Sequence, residues 1–589
     1  MLSWFRRKAP TPSVDPPVSM RPVPPPVSAP PAPPFVGPVR VVEQRGYRVE
    51  LDLSTQGLYL GMSEIEVRRA FGNGLVPART LFELSRKRAF VTAAALSQKA
   101  KQFDDGLYAA VDLAAQDAFK APLLRRLAGA IAGGGSVAGT LLGAARLGGV
   151  DVAVPSDLEE TAQRAVDSFL ADPLRSKPLG FYTWSEPLSR IFRQDRMLQS
   201  ELTGGAAIEA LLHALETDAA ARTKYEAYLT LAAGLTNRLS PDKPDLRSHI
   251  GRSSAIEGGV YFFPPSRSHE GDLMERLFGD RSIPDGFNLM EEVIRLIRRG
   301  GLDLRPRDDS GWYDYQTWAL EPLVVPETMS EAARLLFSAG YLKHLEELFK
   351  GTLALARETH VKQRDHVVPG RAAGGRREPE EPPIVIAPDL SLEPLATHYL
   401  RRAAAYDFVR GVLERAFGEG SLSRMRRRTP DGSVEQPLDE ELRHVTALFR
   451  GAASLVNCQL GFESQPGPEA AIFRDWASRP DDPDLGRDAR MMVPVFSDIE
   501  RGKTKVWVVL GWTERDLSIG FTPPPKYRVV DKAGQDASRR VRVQFISTGQ
   551  QVAQPVFAEV YVSRLLDRRE FRAHCDRYRS VPEILAHLE

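Results

Sequence analysis

The sequence predicts a mainly α-helical protein: a large multi-helix body with a smaller C-terminal antiparallel β domain, α+β overall. Two observations carry this. Apolar residues recur at helical spacing from about residue 80 to 365, then over 392–416 and 438–460. After Arg487 the pattern changes to short runs rich in Val, Ile, Phe and Trp with turn residues between them.

The elements follow in order. Residues 1–40 hold 13 prolines; proline lacks a donor and fixes φ, so the stretch reads as an extended, disordered tail. Residues 46–60 alternate, with Tyr47, Val49, Leu51 and Leu53 on one face, as a half-buried strand does. Ser63 and Glu66 form the capping pattern of a helix over 62–71. Buried helix faces follow at Ile208/Leu211/Leu212/Leu215 and Met290/Val293/Ile294/Ile297. Leu335, Leu336, Leu342, Leu345, Leu348 and Phe349 suggest a helical hairpin broken near Gly340. Residues 367–383 and 465–487 read as loops. Five β-rich runs, near 492–496, 505–510, 527–530, 541–546 and 556–562, precede a last helix at about 567–578. The expected division is a tail at 1–40, a helical body at 41–485 and a β-rich domain at 486–589.

Composition excludes several classes. With 42% hydrophobic and 26% charged residues the 589-residue chain is not disordered throughout. Lys and Arg total 78 against 77 Asp and Glu, so no basic excess draws the chain to nucleic acid. Two cysteines permit neither a disulfide framework nor a Cys-based zinc site. The most apolar stretch, 123–150, is interrupted by Arg125, Arg126 and Arg146, and no transmembrane span is expected. The charges of Arg6, Arg7 and Lys8 are followed by proline rather than an apolar run, which points to the cytoplasm. The cell envelope is the alternative if the true start lies upstream. Trp4, Phe5, Arg6 and Arg7 suit either a frayed end or a membrane-surface contact.

No chemical motif is complete. Gly502-Lys503-Thr504 ends like a phosphate loop, but Ser497 stands where the first glycine belongs, so a hairpin turn is expected. Gly134-x-Ser136 meets Ala138 rather than the glycine of a nucleophile elbow; a helix–helix loop fits better. His269-Glu270 opens like a zinc-protease helix, but Leu273 replaces its second histidine. His269, Glu270 and His360 are the acid–base candidates, and His249, His269, His360 and His366 the metal candidates, should these segments meet. Ordinary helix-surface polarity is the simpler reading, and no cofactor is expected. Trp312, Tyr313, Asp314, Tyr315 and Trp318 form the densest aromatic run, suited to a sugar or peptide groove or, more simply, to a core. Arg424-Met425-Arg426-Arg427-Arg428 reads as a solvated basic loop.

Five stretches carry a whole-chain resemblance: Ala89-Phe90-Val91-Thr92-Ala93; Phe181-Tyr182-Thr183-Trp184-Ser185-Glu186 with Phe192-Arg193; Ala356-Arg357-Glu358-Thr359-His360-Val361-Lys362-Gln363; Ile386-Ala387-Pro388-Asp389; and the β segment from Asp488 to Tyr527. Their order resembles a family of large bacterial proteins of unknown function, many of them secreted or lipoproteins. The resemblance covers about residues 60–560 and implies a mostly helical fold and no particular activity. It departs where that family places histidines, for here stand Gln98, Lys99, Lys101 and Gln102. The expected function is a non-catalytic binding or scaffolding protein with a protein or glycan partner. An envelope-associated hydrolase acting on peptide or glycan, possible with a metal, is the alternative.

Overall fold

The computed structural model describes residues 90–129, 135–252, 259–278, 287–363, 390–479, 487–498, 502–521, 548–578 and 580–588, a few single positions between them, and the backbone of short strands elsewhere. Three such strands come first: β1 (Val39–Val41), β2 (Arg48–Leu53) and β3 (Gln56–Tyr59). The single strand expected over 46–60 is thus a hairpin, β2 pairing antiparallel with β3. The expected helix at 62–71 and the loop at 367–383 lie outside the described residues, as do Trp4–Arg7 and His366.

Helix α1 (Ala93–Ala115) starts where Thr92 Oγ1 accepts from Ala95 N. Free of proline and rich in alanine, it suits a long helix. It passes through a π-helical turn, Gln116–Lys120, into α2 (Ala121–Ala128). Around it lie α3 (Gly135–Leu147), α4 (Glu159–Leu170), α5 (Glu186–Leu198), α6 (Gly205–Thr217) and α7 (Ala219–Leu235). Strands β4 (Glu201–Leu202) and β5 (Val260–Tyr261) pair ahead of α8 (His269–Leu277), α9 (Leu289–Arg298) and α10 (Trp312–Trp318). Ser268 and Asn288 cap α8 and α9 with their side-chain oxygens.

The helical hairpin expected around Gly340 is corrected. Leu335–Leu336 is a strand, β6, and α11 (Ala339–Thr359) begins after its cap Ser338. Gly340 therefore sits in the first turn of one continuous helix, where it breaks nothing. Strand β7 (Ile384–Pro388), α12 (Ala396–Phe417), the small β8–β9 hairpin (Arg428–Thr429, Gly432–Ser433) and α13 (Leu438–Gln459) follow. The expected 465–487 loop contains α14 (Ala470–Ala477), whose Phe473 and Trp476 are buried. The basic run is not a solvated loop throughout: Arg427 is buried over the Phe103 ring and paired with Glu441.

The C-terminal strands are β10 (Met491–Asp498), β11 (Lys503–Phe521), β12 (Lys526–Val530), β13 (Val543–Phe545) and β14 (Thr548–Val562). Gly502, at φ +61°, makes the β10–β11 turn, as the hairpin reading expected. Strands β10, β11 and β14 form an antiparallel sheet buried on both faces. Val493, Val495, Trp507 and Val509 join the core of the helical body. Their alternates Met492, Val506, Val508 and Leu510 pack with Phe571, Cys575 and Ile584. Those last belong to α15 (Arg568–Arg577) and α16 (Val581–Ala586), both opened by capping boxes. Strands from opposite ends of the chain also pair: β2 with β12, and β1 and β13 on either side of β7, the latter in parallel. Among the described residues no helix is long and apolar enough to cross a membrane.

Candidate functional site

Helix α1 is buried nearly all round, yet it carries Gln98, Lys101, Gln102, Asp104, Asp105 and Asp112, each under 5% exposed. An uncompensated buried charge costs several kcal/mol, so each needs partners from the surrounding helices. Three knots supply them to Lys101, Asp104, Asp105 and Asp112, while Gln98 donates to the Arg487 carbonyl. In the first, Lys101 Nζ lies 2.6 Å from Asp105, 2.7 Å from Glu358 and 3.1 Å from Thr359 Oγ1. Arg568, from α15, stands over both carboxylates at 3.8 and 3.9 Å. Burial pushes the Asp105 carboxyl up despite Lys101. Burial acts the same way on Glu358, but Lys101 and Arg568 reverse it and hold that carboxyl below its usual range.

In the second knot Asp104 accepts from Arg402 at 2.6 Å, Tyr406 at 2.8 Å and Gln316 Nε2 at 2.9 Å. That fixes the Gln316 amide, so its Oε1 accepts from His360 Nε2 at 2.9 Å. In the third, Lys362 bonds Asp112 at 2.6 Å and Asp195 at 2.8 Å, and Lys120, from the π turn, reaches Asp195 at 2.8 Å. Burial alone would raise the Asp195 carboxyl; the two ammonium groups overcome it and hold it at about 2.

The sequence candidates fall on either side of this interior. His360 is fully buried, edge-on to the rings of Tyr108, Trp312 and Tyr313. Glu270 points inward, accepting from Arg357 at 2.7 Å and Tyr313 OH at 2.8 Å; the Arg357 guanidinium lies over Trp507, 4.7 Å from the ring centroid. The two segments do meet, but through a sealed ion pair and aromatic packing. Among the described residues no group of three or more His, Cys, Asp or Glu could hold a metal. His249, His269 and His360 belong to no such group, and His360 Nε2 is engaged by Gln316 beneath aromatic rings. The groove reading of the aromatic run also needs correction: Trp312 and Tyr313 are core residues, Tyr315 stacks on Phe408 at 4.2 Å, and Trp318 lies under Arg401. Asp314 lines an opening.

That opening is a cleft of about 280 Å³ beside α8. Residues His269, Asp272, Leu273 and Arg276 line it from one face of the helix, at i, i+3, i+4 and i+7. Asn237 and Arg238, following α7, and the 301–314 segment form the other walls. Asn237 Oδ1 holds that segment by accepting from Gly311 N and Asp314 N at 3.3 and 3.2 Å. The approach is close: a Cβ on Gly311 would lie 2.4 Å from the carbonyl oxygens of Ala233 and Thr236. His269 Nε2 faces Asp314 Oδ1 at 3.4 Å, and Ser310 Oγ donates to Asp314 Oδ2 at 2.7 Å.

Four arginines line the cleft, and they differ. Arg238 pairs with Asp309 and Asp272, and Arg267 with Asp242 and Asp272. Asp303, also in the wall, is engaged by Arg305. Arg276 and Arg307 are exposed and make no ion pair among the described residues. No pattern in the sequence marked these arginines, since they come from three separated segments. The buried knots left a fainter trace, Lys101, Asp104 and Asp105 at i, i+3 and i+4 on a helix rich in alanine. No family model, curated protein or solved structure matches the chain.

Proposed function

We propose that this chain is a non-catalytic binding protein that holds its ligand in the cleft beside α8. One contrast carries the reading. The residues best suited to acid–base work, Glu270 and His360, are engaged inside the protein by Arg357 and Gln316, whereas the open cleft is lined by Arg276 and Arg307, which make no ion pair among the described residues. A site that lends charge without a poised nucleophile is built to hold a ligand. The unpaired Cys458 and Cys575 suit a reducing compartment, and we place the protein in the cytoplasm on that ground.

A second reading keeps the hydrolase, moved to the cleft. It rests on His269 and Asp314, 3.4 Å apart, as a base and the group that orients it. One experiment separates the two. The full-length protein is equilibrated with a library of small polar metabolites, and retained compounds are identified by native mass spectrometry. A compound retained and recovered unchanged is expected. Conversion to product, lost in His269→Ala, would replace binding with catalysis. Retention of nothing would remove the binding reading.

A further inference from the structure

We infer that the cleft beside α8 takes a small neutral saccharide; this rests on the binding role proposed above. The charges of its lining are equal in number. Arg238, Arg267, Arg276 and Arg307 stand there, and so do Asp272, Asp303, Asp309 and Asp314. They are also interleaved. Asp272 lies between the guanidinium groups of Arg238 and Arg267, and Arg238 in turn lies between Asp272 at 3.4 Å and Asp309 at 3.1 Å. Arg305, by a hydrogen bond, and Arg307, by its charge, hold the Asp303 carboxyl below its usual range. An anion would meet four carboxylates here, and a cation four guanidinium groups. A zwitterion needs one positive and one negative pole, and an interleaved lining has neither.

What the lining offers is N–H donors and carboxylate acceptors side by side. A hydroxyl both donates and accepts. A ring carrying several hydroxyls can therefore accept from an arginine and donate to an aspartate at successive carbons. Hydrogen bonds to charged groups are stronger than those between neutral ones, so the ligand itself needs no charge. An apolar ligand would displace water from the same groups and leave them unpaired. The half-buried Leu302 gives the C–H face of a sugar ring an apolar wall. The 301–314 wall is held before a ligand arrives: Asn237 accepts from Gly311 N and Asp314 N, and Ser310 Oγ accepts from Arg307 N at 2.9 Å while donating to Asp314. Groups fixed in advance cost little ordering on binding. At about 30 Å³ of liquid per water, the cleft of about 280 Å³ has the room of roughly nine waters, which one sugar ring can replace.

The test uses the full-length protein with glucose, galactose, N-acetylglucosamine and maltose as probes, and inorganic phosphate and glycine as the anionic and zwitterionic comparisons. Ligand-observed NMR follows binding to wild type, Arg276→Ala, Asp309→Ala and, as a remote surface control, Arg164→Ala. Saturable binding of at least one sugar is expected, weakened about tenfold or more whether a positive or a negative cleft charge is removed, and unchanged in Arg164→Ala. Tighter binding of phosphate or glycine than of any sugar overturns the inference. Sugar binding that survives either cleft substitution, or is lost in Arg164→Ala, overturns it too. Should no probe sugar bind, the compounds retained from the metabolite library decide. A retained neutral saccharide, lost in both cleft variants, supports the inference; any other retained compound overturns it and leaves the binding role standing. If no compound of any kind is retained, both fall together.

Discussion

The charged layer along α1 and the cleft beside α8 use the same side chains to opposite ends. Along α1, lysine meets aspartate and glutamate at 2.6 to 2.8 Å, and little of any of them reaches water. In the cleft, two of four arginines make no ion pair among the described residues. Charge type therefore does not distinguish structure from site. What distinguishes them is whether each charge is met in an ion pair within the chain. A layer whose partners are all internal specifies how helices dock, and an open cleft with charged side chains outside any ion pair leaves room for a group from outside.

The sharpest way to break that comparison is to unbalance the layer. Lys362→Met should leave Asp112 and Asp195 buried with one fewer cation, lowering stability by about 3–5 kcal/mol in denaturant unfolding. A loss below about 1 kcal/mol would mean that the layer admits water and is not closed.

Next in size is a pH effect. His398 donates Nδ1–H to the Ala319 carbonyl at 2.6 Å, and burial holds its pKa at about 4. The unfolded chain takes up that proton near the usual value of about 6.5. Stability is therefore full above about 6.5 and falls as pH drops toward 4, by roughly 3 kcal/mol. Comparing wild type with His398→Gln over that window isolates the term; parallel curves would show that His398 is protonated in the fold.

Smaller again is Arg568→Ala, which uncovers Asp105 and Glu358 but leaves Lys101 between them. A loss of about 1–2 kcal/mol is expected, with faster amide exchange in α15. Exchange unchanged there would mean that α15 is held by Phe571, Cys575 and its other ion pairs without Arg568. The smallest effect belongs to the cleft: Arg276→Ala or Arg307→Ala should shift stability by no more than about 0.5 kcal/mol. A larger loss would make these arginines structural and bring the two regions under one rule.

The sequence was a better guide to the first level of structure than to the second. The apolar faces at Ile208–Leu215 and Met290–Ile297 are helical and buried because their spacing depends only on local geometry. The same logic misread Leu335–Leu336, since a two-residue strand against β11 is decided by a partner far along the chain. The site was less legible still. His269 and Asp314 could be named, but Arg276 and Arg307 are ordinary surface residues until the fold sets them around one opening. Asp195 carried no mark either, because burial of a charge becomes visible only with its partners.

The partners of α1 have a consequence for how the protein is made. Ala93 N bonds Glu393 and Gln98 bonds the Arg487 carbonyl, across 300 and 389 residues. A ribosome adding roughly 5–20 residues per second needs about 20–80 seconds to cover the longer interval. Until Glu358, and later Arg568, have been made, Lys101 and Asp105 must keep water, or a chaperone, in their place. A stripe that would cost stability if buried early thus delays docking of the first long helix until residue 568 has been made, and a nascent chain stalled before it would carry an unfinished seam open to protease.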